Sequence, residues 1–218
     1  MSATILVDDE AGRGAAIAAL RRGGLVALPT DTVYGLAVGL EAIGGLGRLF
    51  AAKHRPLDKA IVLLLADHRQ AESVGLLDAA AHVLVSAFWP GGLTLVVPLR
   101  PDAALPAELT GGTGTIGLRL PAHDAPRALA AAVGPLPVTS ANRSGEAAAT
   151  DAAQVLDQLG DSADLELILD GGPVPGGVAS TVVDCAAGPA RILRAGAITV
   201  DALAAVLDEA ELEHRLRG

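Results

Sequence analysis

Residues 9–28 read DEAGRGAAIAALRRGGLVAL, and the change of period inside this stretch sets the fold class. Over 9–22 the spacing predicts a helix with Ile17 and Leu20 on one face and Gly23-Gly24 as its stop. The next four residues, LVAL (25–28), make an apolar run of strand length that ends at Pro29. Helix and buried strand then keep alternating. Helices are expected over 41–53 and 78–88, from Asp124 as a cap to about residue 133, over 151–159, and from Val200 onward. Strands are expected at IVLLL (61–65), LTLVVPL (93–99), IGLRL (116–120), PVTS (137–140), LELILD (165–170), STVVDC (180–185) and ARILRA (190–195). His68 is expected in a loop. This alternation predicts an α/β fold around a largely buried, at least partly parallel sheet. With no Ser/Gly linker and no repeat, one domain is expected over 1–218, its core spanning about 9–200. Glu211 and Glu213 each precede an arginine by four residues, which predicts a charged C-terminal helix over 200–218.

Composition narrows the function classes. The 218 residues are 51% hydrophobic and 19% charged, ample for a core, and only 2% aromatic, so aliphatic side chains must build it. A net charge of -9 opposes coating nucleic acid through bulk charge but leaves room for a local basic pocket. The single cysteine, Cys185, excludes an intrachain disulfide framework and a cysteine-rich zinc site, and fits a reducing cytosol. The first residues lack the basic and apolar regions of a secretory signal, and runs such as 61–66 are too short to span a bilayer. A cytoplasmic protein without a membrane partner is expected.

Several familiar chemistries find no support. Gly112-Thr-Gly114-Thr-Ile-Gly117 is formally G-x-G-x-x-G, but strand-like IGLRL and then Pro121 follow it, where a dinucleotide site needs a helix. The histidines at 54, 68, 82, 123 and 214 show no metal-ligand spacing. No G-x-S-x-G elbow is present, and Cys185 reads as a small buried hydrophobe.

What remains is concentrated. The chain has only two lysines, both in Lys53-His-Arg-Pro-Leu-Asp-Lys59 with Arg55 between them. Lysine is a compact point charge and arginine a planar fork, so this segment offers both kinds of cation to an anion. Pro29-Thr-Asp-Thr-Val-Tyr-Gly-Leu36 places hydroxyls and the only tyrosine just after a strand, where α/β ligand sites lie. Thr139-Ser-Ala-Asn-Arg-Ser-Gly145 follows another strand with hydroxyl and amide groups, and Ser180-Thr181 and Arg194 flank two more. Together these segments outline an anion pocket.

At these residues the chain resembles the YrdC family in its short, stand-alone form. The matching blocks are PTDTVYGL (29–36), KHRPLDKAI (53–61), PGGLT (90–94), TIGLRLPAH (115–123), TSANRSG (139–145), STVVD (180–184) and RILRAG (191–196), in the family order. The resemblance implies a twisted mixed sheet with flanking helices around a concave, positively lined cavity. It implies condensation of L-threonine, bicarbonate and ATP into threonylcarbamoyl-AMP with release of pyrophosphate, for the modification of adenosine 37 in tRNAs that read ANN codons. A downstream tRNA threonylcarbamoyl transferase complex is then the expected partner, with weak RNA binding possible.

Residue by residue, the family's K-x-R and S-x-N elements fall on Lys53/Arg55 and Ser140/Asn142, which the resemblance makes the catalytic set. Arg55, Lys59, Ser140, Arg194 and the Thr115 backbone are implied to hold ATP. Arg119 is the implied bidentate partner of the threonine carboxylate, with Thr32 and Ser180 beside it. Mg²⁺ is the implied cofactor, bound through phosphates and water rather than by the protein. Three positions depart from the pattern: Leu64 stands where many relatives carry histidine, Gly92 replaces a frequent proline, and Ala195 replaces a common proline. The alternative is a non-enzymatic RNA-binding or ribosome-assembly module, which the acidic charge and scarce aromatics oppose. A carbamoyl-handling domain of the hydrogenase-maturation type would need further modules, for which this length leaves no room.

Overall fold

The computed structural model describes residues 3–53, 61–103, 105–174 and 177–217. Arg55 and Lys59 of the basic segment lie outside the described residues. Strand β1 (Thr4–Val7) leads into helix α1 (Glu10–Arg22). Asp9 caps that helix by accepting from Gly12 N, and Gly23 ends it at φ 82. The Gly23 and Gly24 amides close the last turn on Leu20 O and Ala19 O, a Schellman ending. The chain continues through β2 (Leu25–Leu28), β3 (Gly35–Ala37), α2 (Gly45–Ala52), β4 (Val62–Leu64), α3 (His68–Val74), α4 (Ala79–Phe88) and β5 (Leu93–Pro98). It ends with β6 (Thr115–Arg119), α5 (Asp124–Val133), β7 (Leu136–Ser140), α6 (Ala152–Leu159), β8 (Leu165–Asp170), β9 (Thr181–Asp184), β10 (Ala190–Arg194), α7 (Val200–Glu209) and β11 (His214–Arg215).

All the strands join one sheet in the order β1-β8-β2-β3-β7-β4-β6-β5-β9-β10-β11. The sheet is mixed: β4 runs parallel to β6 and β5 parallel to β9, while β6 and β5 are antiparallel. Leu63, Leu93, Leu95, Ile116 and Leu118 point to one face, where a continuous core also takes in Leu49 and Phe50 of α2, Leu84 of α4, Val155 of α6 and Leu203 of α7. The other face carries Val26, Leu28, Leu64, Leu136 and Val138. Ala16 and Leu20 of α1 and Ala125 and Leu129 of α5 cover those residues. Side chains alternate along a strand, so this second face continues through Arg119, Thr94, Val182 and Arg194. That continuation carries the polar groups.

Four expectations need correction. His68 begins α3, behind Asp67 as its cap, rather than lying in a loop. Asp124 is the first residue of α5, and the cap is His123, whose Nδ1 accepts from Ala125 N at 3.2 Å. The C-terminal helix stops at Glu209 instead of running to 218. Glu211 takes φ 55, and the Glu211 and Leu212 amides bond Asp208 O and Leu207 O in the same Schellman pattern as α1. The four-residue pairs Glu211/Arg215 and Glu213/Arg217 therefore do not share a helix face. His214–Arg215 pairs with β10 instead, and Arg217 reaches Asp201 and Asp208 of α7. Beyond these, β1, β3 and β11 have no counterpart among the strands expected from sequence.

Gly112 and Gly114 take φ 76 and φ 68 in a turn that opens strand β6, not a helix, as their sequence context predicts.

Candidate functional site

The site is built where the chain leaves β2. Pro29 cannot continue the ladder, and Thr30 folds the next residues back: its Oγ1 accepts from Thr32 N and Val33 N and donates to Val33 O at 2.7 Å. Residue 34 is held on both sides, Tyr34 N donating to Ala149 O and Ala141 N to Tyr34 O. The Tyr34 hydroxyl donates to Gly172 O at 2.8 Å and accepts from Gly171 N at 3.2 Å. Burial pushes its pKa up to about 12. The loop is thus fixed before any ligand is considered.

Arg119 ends β6 beside Leu64, 5% exposed. Its Nε donates to Gly91 O at 3.0 Å, Nη1 to Thr32 Oγ1 at 2.8 Å and Nη2 to Asp31 Oδ1 at 2.6 Å. Burial, opposed by Asp31 and reinforced by Arg194, lowers its pKa from the usual guanidinium range. Beside it, Thr94 Oγ1 and Ser180 Oγ are 2.8 Å apart, and Arg194 donates to both Ser180 Oγ and Ser180 O. Arg119, Thr32, Thr94 and Ser180 line a cavity of about 70 Å³. Its walls divide by chemistry. Thr30, Thr32, Thr94, Ser140, Ser180 and Arg119 form the polar side, and Val62, Leu64, Val138 and Tyr34 the other.

The structure thus gathers Thr32, Arg119, Ser140 and Ser180 on one cavity, with Arg194 bonded to Ser180 at its margin. Thr115 shares a sheet face with Arg119 but lies about 13 Å away, four residues along the strand. Its hydroxyl stands 2.8 Å from Thr113 Oγ1. Gly117 separates the two, leaving the intervening floor without a side chain. A Cβ there would stand 3.4 Å from Val62 Cγ2, an ordinary contact, so the backbone does not require the glycine. On the far side of Ser140, Lys53 is buried against the turn after β7.

The Sua5/YciO/YrdC family model, described as "Telomere recombination", matches residues 18–196. The chain belongs to that family. A threonylcarbamoyl-AMP synthase of Bacillus subtilis is 39% identical over 194 residues, covering 88% of this chain and 55% of that protein. The chain therefore spans little more than half the length of that relative. One from Thiobacillus denitrificans is 37% identical over 178 residues, 81% of this chain and 91% of that protein. Among solved structures, P. abyssi Sua5 complexed with L-threonine superposes with a TM-score of 0.86 at 33% identity, over 98% of this chain and 62% of that one.

Seen as a Sua5/YciO/YrdC domain, the site also contains groups to which the sequence reading gave no role. Asp31 holds one edge of Arg119, Thr30 shapes the loop, and Thr94 bridges to Ser180. Thr94 had a usable signal. Between Leu93 and Leu95 it is a hydroxyl inside an apolar run, and alternation sends it to the face opposite those two leucines. Asp31 had none, because nothing in sequence links it to a residue 88 positions away.

Among the described residues, no helix is long and apolar enough to cross a membrane.

Proposed function

We propose that this chain is a threonylcarbamoyl-AMP synthase, joining L-threonine, bicarbonate and ATP into threonylcarbamoyl-AMP, pyrophosphate and water. The observation that carries the reading is Arg119: five N–H groups, three of them donated to protein acceptors, at the wall of a small cavity with a hydroxyl rim. Two N–H groups remain for a carboxylate. A cavity of about 70 Å³ suits the body of a small amino acid rather than a nucleotide. Thr32, Thr94 and Ser180 supply hydroxyls, and Val62, Leu64 and Val138 supply apolar surface for a methyl group. The threonine held by a P. abyssi relative of like fold supports the same reading.

The chemistry asks for positioning more than for a nucleophile. The threonine amine and bicarbonate give a carbamate with loss of water, and a carbamate oxygen then attacks the α-phosphorus of ATP as pyrophosphate leaves. Each partner is anionic, so fixed positive charge and exclusion of water lower the barrier. In this reading Arg119 holds the carboxylate, and Arg194 with Ser140 serves the phosphates. Mg²⁺ would neutralise triphosphate charge. It would be carried on phosphate oxygens and water. The product would feed a tRNA threonylcarbamoyl transferase complex.

A single missing methyl in an apolar pocket is worth only about 1–3 kcal/mol, so preference for threonine over serine should be real but limited. The test is pyrophosphate release from ATP. It should require threonine and bicarbonate together, and release independent of threonine would overturn the assignment.

A further inference from the structure

Lys53 and Asn142 stand in the K-x-R and S-x-N elements, where the resemblance assigns both to the catalytic set. Their hydrogen bonds point elsewhere. Lys53 follows α2 as its C-cap residue and is 4% exposed. Its ammonium donates to Ser140 O at 2.6 Å, to Asn142 Oδ1 at 3.1 Å and to Asn142 O. An ammonium has three N–H groups and no acceptor. Among the described residues it meets three acceptors, all on one turn, which match that capacity in number.

Asn142 is committed in the same way. Its side-chain oxygen accepts from Lys53, and its Nδ2 donates to Arg143 O at 2.9 Å and Glu146 O at 2.7 Å. A carboxamide has two N–H groups, so both are engaged. Its backbone N donates to Ser140 O at 3.0 Å. Ser140 differs from both neighbours, because its side chain lines the cavity while its carbonyl is held from behind by Lys53.

We propose that Lys53 and Asn142 are positioning residues whose joint task is to aim Ser140 into the cavity, and that Ser140 alone of the three touches substrate. A phosphate oxygen could reach the Lys53 ammonium only by displacing a carbonyl that shapes the turn. The choice of lysine follows. A compact ammonium can sit at the meeting point of three oxygens, whereas a guanidinium spreads its donors along a planar fork. The inference deepens the proposed function and rests on it only for its kinetic consequence.

Hydrogen–deuterium exchange of the ligand-free protein tests it without any substrate. In Lys53→Met, amides of residues 141–146 should exchange about tenfold or more faster while those of β2 and β6 keep their rates. If Lys53→Met does not fold, Lys53→Arg serves, since it keeps the charge but not the convergence and should loosen the same amides. The kinetic arm compares Lys53→Met, Asn142→Ala and the double variant. Residues acting as one unit should leave the double about as impaired as the worse single. Unchanged exchange at 141–146, or losses that multiply, would return Lys53 to direct phosphate binding. Absence of pyrophosphate from the wild-type protein would sink the proposed function instead, and the exchange comparison would still decide the role of Lys53.

Discussion

Arg119 and Lys53 are both buried cations on the margins of one site, yet they stand in opposite conditions. Arg119 has five donors, gives three to Gly91, Thr32 and Asp31, and has two beyond these. Lys53 has three donors and, among the described residues, meets three oxygens of a single turn. Arg119 also faces a carboxylate, whereas those three oxygens are carbonyls. Positive charge near a pocket therefore does not by itself identify a ligand-binding group; the number of donors left after folding does.

The largest effect expected from this contrast is at Arg119. Arg119→Ala should raise the threonine requirement by about 10²–10³-fold, with the ATP requirement changing far less. It should also cost about 3–5 kcal/mol of stability, because Asp31 keeps its charge without its partner. Equal effects on both substrates would break the comparison at its better-supported end. Next comes Lys53→Arg, where turnover should fall by about 10² through misplacement of Ser140 despite the conserved charge. Near-normal turnover there would mean that the turn tolerates a fork.

Asp31→Asn sharpens the comparison in the other direction. It leaves an acceptor beside Arg119 but removes an anion that competes with a substrate carboxylate. Threonine should bind about three- to tenfold more tightly by calorimetry, the size expected for one partly screened charge. Weaker binding would make Asp31 a brace rather than a competitor. The smallest effect belongs to Tyr34→Phe, which should cost about 1 kcal/mol by loss of the bond to Gly172 O. Its titration has a definite sign. The buried phenol keeps its proton to about 12, so the wild type should lose stability as pH rises from 10 toward 12, where the unfolded chain ionises and the folded one does not. Tyr34→Phe should lose less over that interval. Cys185, also raised to about 12 by burial, adds a loss of the same sign in both proteins.

The contrast also marks what could be read in the sequence. Helix α1 was legible because Asp9 and Gly23 are the residue types its two ends require. Helix α7 ends in the same hydrogen-bond pattern with Glu211 at the left-handed position, a residue type that carries no stop signal. Strand β1 was invisible because three of its four side chains are exposed; it exists through its parallel pairing with β8, a partner far off in sequence. Thr32, Arg119, Ser140, Ser180 and Arg194 were legible as residue types at strand ends and in the loops beside them. How their donors divide between protein and cavity was not, because only folding brings Asp31 to Arg119 or Asn142 to Lys53.

The turn that supplies Gly91 O to Arg119 has an optical consequence. Trp89, the only tryptophan, lies two residues before that carbonyl, buried, with its indole N–H on Leu93 O. The His68 ring sits 5.9 Å from it. Emission excited selectively in the indole therefore comes from one place in the molecule, a single peptide turn from the acceptor of Arg119 Nε. A carboxylate that draws on the guanidinium should register as a change in colour or intensity of that light, giving a label-free titration of the pocket in a protein to which nothing has been attached.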